Sequence, residues 1–351
     1  MESFGRRSLD KMSKRMVKWA IAASRLDRCA RALFGGVGAA LMFHQVTPRG
    51  PGVGWSATDG LKVTPEALES FLDTLAGEGY ELTTASEAAA RLVAGAGRGR
   101  FAAVTLDDGY RDNHDVLLPI LKRRGAKATV FVTTGFIDRD APMWWFGVER
   151  ALARNDRVLI RTGGGAREFP AATAAEKSGS HARIGELFLR FTPKQTRDAV
   201  AGLKADHGVD CLAIADAMAM TWEQVRALAD SGLVEIGGHT AGHYPLAAMS
   251  EAEAKAEIES GRRRLAEKLG RAPQSFAYPY GVPAAVGRRD MALVQAAGFT
   301  SGYTTQPRPL LASDAALPFA LPRIGLGGDD DPVALRMRLA GIGADRLPYA
   351  A

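Results

Sequence analysis

Three short stretches hold the side chains that could do chemistry: VTLDDGY at 104–110, HTAGH at 239–243 and FAYPYG at 276–281. In the first, an apolar run of small and β-branched residues at 101–106 reads as a buried strand ending in two adjacent carboxylates, Asp107 and Asp108. Neighbouring carboxylates repel each other, so a partner must hold at least one ionised. A metal cation on one, with the other free to move protons, resolves that conflict. Asp-Asp-Gly also occurs as a plain turn before a helix, so the pair needs support from elsewhere in the chain.

His239 and His243 supply it. They lie four positions apart just past a strand-like run, a spacing that lets two imidazoles reach one ion. Two histidines and one carboxylate, with a coordination position left open, are a ligand set of catalytic zinc. The remaining acid of the pair is then the base that metal-assisted hydrolysis requires. The bland alternative is one histidine in packing and the other at the surface.

The elements that must position these groups alternate. Strand-like runs fall at 39–46, 101–106, 127–133, 233–237, 275–279, 300–303 and 321–324, with helical patterns between them. Thr84 with Glu87, Thr221 with Gln224 and Ser250 with Glu253 are capping boxes that open three of those helices. The alternation implies an α/β fold with a mainly parallel sheet. His44, Asp107, Asp108, His239, His243, Tyr280 and Arg323 all fall at strand ends, where barrels of this kind place their chemistry. Residues 138–220 break the alternation and read as an inserted helical subdomain.

Composition bounds the rest. The chain has 351 residues, 46% hydrophobic and 24% charged, which suits a globular protein. Its two cysteines, Cys29 and Cys211, form no disulfide or metal pattern. Residues 1–33 hold nine Lys/Arg and three Asp/Glu, which accounts for the net charge of +6. Met12, Met16, Trp19, Ala23, Leu26, Ala30 and Leu33 form one helical stripe there, so 1–35 is expected to be a basic amphipathic helix. It could pack on the body or attach peripherally to an anionic membrane. The balanced remainder gives no reason to expect nucleic acid, and no nucleic-acid-binding motif occurs. No signal-peptide pattern is seen, so the expected location is cytoplasmic, with peripheral membrane contact through 1–33 as the alternative to its packing on the body.

VTLDDGY, HTAGH and FAYPYG, in that order, resemble the motifs of NodB-homology polysaccharide deacetylases, carbohydrate esterase family 4. The resemblance spans roughly 39–326, apart from the insertion. It implies a distorted (β/α) barrel of about seven strands and removal of N-acetyl groups from a glycan or glycolipid sugar. It places the base on Asp107, a divalent metal, zinc above others, on Asp108, His239 and His243, and an oxyanion-binding N–H on Tyr280. Many members carry an Arg where FAYPYG has Ala277, and a late histidine as general acid; this chain has no histidine after His243. Arg323, in LPRI, is the expected replacement for the arginine. His44 is the expected acid, resembling the Tyr-His motif of the permuted poly-N-acetylglucosamine deacetylases. The expected organisation is a catalytic domain at 36–328, with the insertion at 138–220 and a C-terminal helix or tail at 329–351. Deacylation of a non-sugar amide and an inactive glycan-binding module are the rival readings.

Overall fold

The structure, a computed structural model, describes residues 35–48, 55–95, 99–328 and 330–342. The expected basic helix at 1–35 lies almost wholly outside them. Eight parallel strands make the main sheet: β1 (Gly38–Phe43), β2 (Tyr80–Thr83), β3 (Arg100–Leu106), β4 (Ala128–Val132), β5 (Val234–Gly238), β6 (Ser275–Ala277), β7 (Ser301–Tyr303) and β8 (Ile324–Gly325). Seven of them run in one path, β7-β6-β5-β4-β3-β1-β8, and β2 branches from β3. The branch splits one edge of β3, because Phe101–Ala103 face Glu81–Thr83 whereas Thr105 and Leu106 face Thr129 and Val130. The sheet curls until Leu321, just before β8, bridges to Tyr303 of β7. This is the distorted barrel that the family resemblance implied, built on the parallel sheet that the alternation of elements predicted.

The interior is narrow because small residues line it. Ala40, Ala103 and Ala277 pack there with Phe101, Phe131, Tyr303 and Leu321. A larger apolar layer outside the strands joins them to the helices. Helix α1 (Pro65–Gly77) opens at Thr64, and α2 (Ala85–Val93) opens with the Thr84–Glu87 capping box, both of whose bonds form. After β3 the expected helix begins as a π-turn at Asn113–Leu117 and becomes α-helical at α3 (Leu118–Arg124). Such turns cluster at functional sites.

The segment 138–220, expected to be a helical insertion, departs from expectation in one respect. Besides α4 (Trp144–Arg154), α5 (Ala174–Phe188), α6 (Pro193–His207) and α7 (Cys211–Met218), it holds an antiparallel hairpin, Arg157–Thr162 with Gly165–Pro170. The glycine-rich break at 162–165, read as an interruption between helices, is its turn. Val158, Ile160 and Phe169 alternate inward along it. Strand β2 was also missed: only four residues long, it carries Glu81 between apolar neighbours and gives a weak signal. α8 (Trp222–Asp230) and α9 (Glu251–Leu269) begin with the other two capping boxes. α10 (Arg288–Ala296) and α11 (Pro332–Leu339) follow, and a short helical turn, Thr134–Asp138, lies after β4. No helix among the described residues is long and apolar enough to cross a membrane.

Candidate active site and metal centre

All seven polar residues singled out from the sequence come from one rim of the barrel or the segment that closes it. Asp107 and Asp108 follow β3, His239 follows β5, Tyr280 lies just beyond β6 and His44 follows β1. Arg323 lies between the Leu321 bridge and β8.

Asp108, His239 and His243 present ligating atoms within 4.8 Å of one another, and all three are buried. Asp108 Oδ1 lies 3.2 Å from His243 Nε2 and 3.5 Å from His239 Nε2. It nevertheless accepts no well-aligned hydrogen bond from the described residues. A buried carboxylate oxygen facing two imidazole nitrogens without a bonded partner fits a divalent cation. His239 Nδ1 lies 2.7 Å from the Ala277 carbonyl, which takes its N–H and leaves Nε2 with its lone pair toward Asp108. Burial holds the His243 imidazole below its usual pKa despite Asp108 beside it, so it stays neutral, as a ligand must. Burial would raise the Asp108 carboxyl, but the two imidazoles beside it, His243 and His239, bring it well below the carboxylate range.

Asp107 has a different partner. Arg323 donates from Nη1 to Oδ1 at 2.6 Å and from Nη2 to Oδ2 at 2.8 Å. Arg323 is fully buried, bonded also to the Thr304 carbonyl and Thr105 Oγ1, with its guanidinium 5.5 Å from the Phe131 ring centre. Burial pushes the Asp107 carboxyl up; Arg323, with His239 and His44 adding to it, brings it below its ordinary value. One acid of the pair thus faces imidazoles and the other a guanidinium.

His44 is half-buried at the end of β1. The strand is tied to the acid pair by the Asp107 N–H, which donates to the Phe43 carbonyl at 3.1 Å. His44 is a minor contributor to the lowering of both carboxyls.

Backbone geometry marks the same residues. Among the described residues, five that are not glycine have positive φ: Asp108 (75°), Arg139 (67°), Thr240 (62°), His243 (58°) and Tyr280 (62°). Arg139 ends a helical turn; the other four belong to the site. Left-handed backbone costs a side-chain-bearing residue about 1–3 kcal/mol and persists only where the surroundings impose it. The surroundings of 240–243 are plain. Gly135 N–H donates to the Ala241 carbonyl, and the Thr240 hydroxyl accepts from the His243 N–H. Glu257 of α9 accepts the Gly242 N–H at 2.7 Å and the Ala241 N–H at 3.2 Å. A Cβ at Gly261 would lie 2.8 Å from Thr240 backbone, so only glycine lets α9 approach so closely.

A profile of the polysaccharide deacetylase family matches residues 94–176 and 194–301, more than half of the chain. The chain belongs to this family. The matched segments include the acid pair, both histidines and Tyr280, but not His44 or Arg323. The Bacillus subtilis (strain 168) protein YxkH is 31% identical over 93 residues, which is 26% of this chain and 30% of that relative's length. The fold is similar to that of the Streptococcus pyogenes deacetylase PplD, solved in complex with acetate, at TM-score 0.56 and 17% identity, covering 86% of this chain and 97% of that one. IcaB from Ammonifex degensii gives 0.53 and 19%, over 88% and 98%. The de-N-acetylase from Aggregatibacter actinomycetemcomitans gives 0.52 and 14%, over 85% and 98%.

Tyr280 of the third motif is supported from the 138–220 segment. Tyr280 Oη receives Trp144 Nε1–H at 2.9 Å and donates to the His243 carbonyl at 3.3 Å. Its ring centre lies 4.8 Å from that of His243. No hydrogen bond from the Tyr280 N–H is found among the described residues. Trp144, Trp145, Glu257 and Asp112 escaped the sequence reading. For the first two the signal was the Trp-Trp-Phe run; for the others nothing local distinguishes them from helix-surface acids.

Proposed function

We propose that this deacetylase-family protein is a metal-dependent hydrolase that removes N-acetyl groups from a glycan or glycolipid sugar. The observation that carries the proposal is the division of the acid pair, with Asp108 facing two buried imidazoles and Asp107 held by a buried guanidinium. Asp108, His239 and His243 would hold the ion, and their donor set suits zinc. Such an ion supplies Lewis-acid polarisation of the acetyl carbonyl and a water that loses its proton near neutrality.

The chain supplies the rest. Asp107 accepts the water proton. Its oxygens keep lone pairs beyond those bonded to Arg323, and Arg323 keeps the carboxylate ionised and fixed. As the carbonyl carbon becomes tetrahedral, the Tyr280 N–H donates to the oxyanion. His44 gives a proton to the departing nitrogen, and the C–N bond breaks to leave acetate and a sugar amine.

The test is acetate release across a panel of acetylated chitooligosaccharides and other N-acetylated glycans, as purified, after chelation and after zinc is restored. Release that is lost with the chelator and regained with zinc supports the proposal. No release from any glycan by the zinc-loaded protein sinks it in favour of a binding module, and release only from non-sugar acetamides reassigns the substrate.

A further inference from the structure

We infer that the insertion is a working part of the active site, and that its residue Trp144 is a positioning residue for the Tyr280 N–H. The inference rests on the oxyanion role proposed for Tyr280. Helix α4 opens with Trp144, Trp145 and Phe146, and each meets a different residue of the barrel rim. Trp144 bonds Tyr280; Trp145 lies against His243 with ring centres 5.1 Å apart; Phe146 meets Tyr110 edge-on at 6.1 Å. All three side chains are buried. A subdomain merely attached to a barrel has no need to bury three consecutive aromatics against its catalytic motifs.

Trp144 is itself held rigidly. Its indole stacks on Phe188 of α5 at 3.9 Å and an interplanar angle of 11°, and Phe188 packs on Phe191. At Gly147 a Cβ would lie 2.2 Å from Cys211 Sγ, so the Cys211 side chain of α7 packs directly on the α4 backbone. On the same helix, Glu149 accepts the Ala57 and Thr58 N–H groups and the Ser56 hydroxyl, fastening the loop before α1 to the insertion.

Tyr280 needs such support. Its φ of 62° is followed by Gly281 at 60°, two left-handed residues in succession. The direction of its N–H follows from that backbone. Two anchors fix it: Thr305 Oγ1 donates to the Tyr280 carbonyl, and the phenol is clamped between the Trp144 N–H and the His243 carbonyl. Without the indole N–H, the phenol loses its one donor, and the strained turn loses the anchor at its far end.

The experiment compares zinc-loaded wild type, Trp144→Phe, Tyr280→Phe and the double variant. Phe at 144 keeps an aromatic ring on Phe188 and removes the N–H together with the five-membered ring. Zinc content should hold, and the urea midpoint should fall only by what the lost ring volume costs. The kcat on an acetylated chitooligosaccharide should fall about tenfold with little change in KM, less than the roughly 10²–10³ lost when an oxyanion donor is deleted. The double variant should be no slower than Tyr280→Phe alone, because both changes break one link. In 15N-tyrosine-labelled protein the Tyr280 amide resonance should shift or broaden in Trp144→Phe, a readout that needs no turnover. Losses that multiply in the double variant, or an unmoved Tyr280 resonance, overturn the inference. A wild type that releases no acetate while the resonance does move refutes the proposed reaction and leaves the positioning link standing.

Discussion

Arg323 and Asp107 lie 216 residues apart in sequence and meet through two parallel hydrogen bonds, with the Arg323 side chain fully buried and 4% of Asp107's exposed. Removing one partner of such a pair strands a charge in the interior. Arg323→Met should therefore lose about 3–5 kcal/mol in urea unfolding. The Asp107→Asn/Arg323→Met double variant carries no stranded charge and should regain most of that loss. If it is as unstable as Arg323→Met alone, Arg323 supports the fold through Thr304 and Thr105 instead.

Asp107→Asn keeps the shape of the acid and cannot take a proton. Metal content should be unchanged and turnover should fall by about 10²–10⁴. Loss of metal in this variant would mean that the two acids have exchanged roles.

Glu257 touches no metal-ligating atom, yet it holds the turn that presents His243. Glu257→Ala should weaken zinc binding by about 10–100-fold, measured by competition with a chromogenic chelator. Glu257→Gln retains an acceptor and should fall less. Wild-type affinity in the Ala variant would show that Gly135 and Gly261 suffice to shape the turn.

Burial pushes the Asp112 carboxyl up to about 7, against the Val46 N–H, Asn113 and Gln45 bonds that favour its charged form. Its pKa is raised on folding, so its contribution to stability is complete below about 3.9. That contribution is lost as pH rises through about 7. Asp112→Asn cannot ionise, and Gln45 Oε1, now without a partner, can accept the new amide once it turns. The variant should match wild type within about 1 kcal/mol at pH 4 and exceed it by about 1–3 kcal/mol at pH 8. Parallel urea midpoints at pH 4, 6 and 8 would contradict this.

His44→Ala should keep its metal and lose most turnover on an N-acetyl sugar, because an amine leaves poorly without a proton. On an acetyl ester with a good leaving group the loss should shrink. Equal losses on both substrates would assign His44 to binding or structure.

The sequence by itself singled out the polar side chains that the structure brings to one rim. Adjacent acids after a buried strand, histidines four apart after another and alternating strand and helix patterns are local signals. The capping boxes are local too, and all three formed. The weak signals failed for local reasons: β2 is short, and the insertion's hairpin lies between helices that dominated the pattern.

Only the tertiary structure decided how the acid pair divides. Arg323 was a guess from its place near a strand end; its bidentate grip on Asp107 depends on the closing segment threading beside β1, a relationship of chain register that no local pattern encodes. The left-handed backbone at Thr240, His243 and Tyr280 was equally hidden, because residues distant in sequence hold it: Glu257 and Gly261 of α9 with Gly135 around 240–243, and Trp144 with Thr305 at Tyr280. The link from Trp144 through Tyr280 to His243 joins three parts of the chain whose meeting depends on how the insertion folds back over the barrel. Chemistry is written in residue type and spacing; geometry at the rim comes from long-range contacts that choose one strained conformation over its relaxed alternatives.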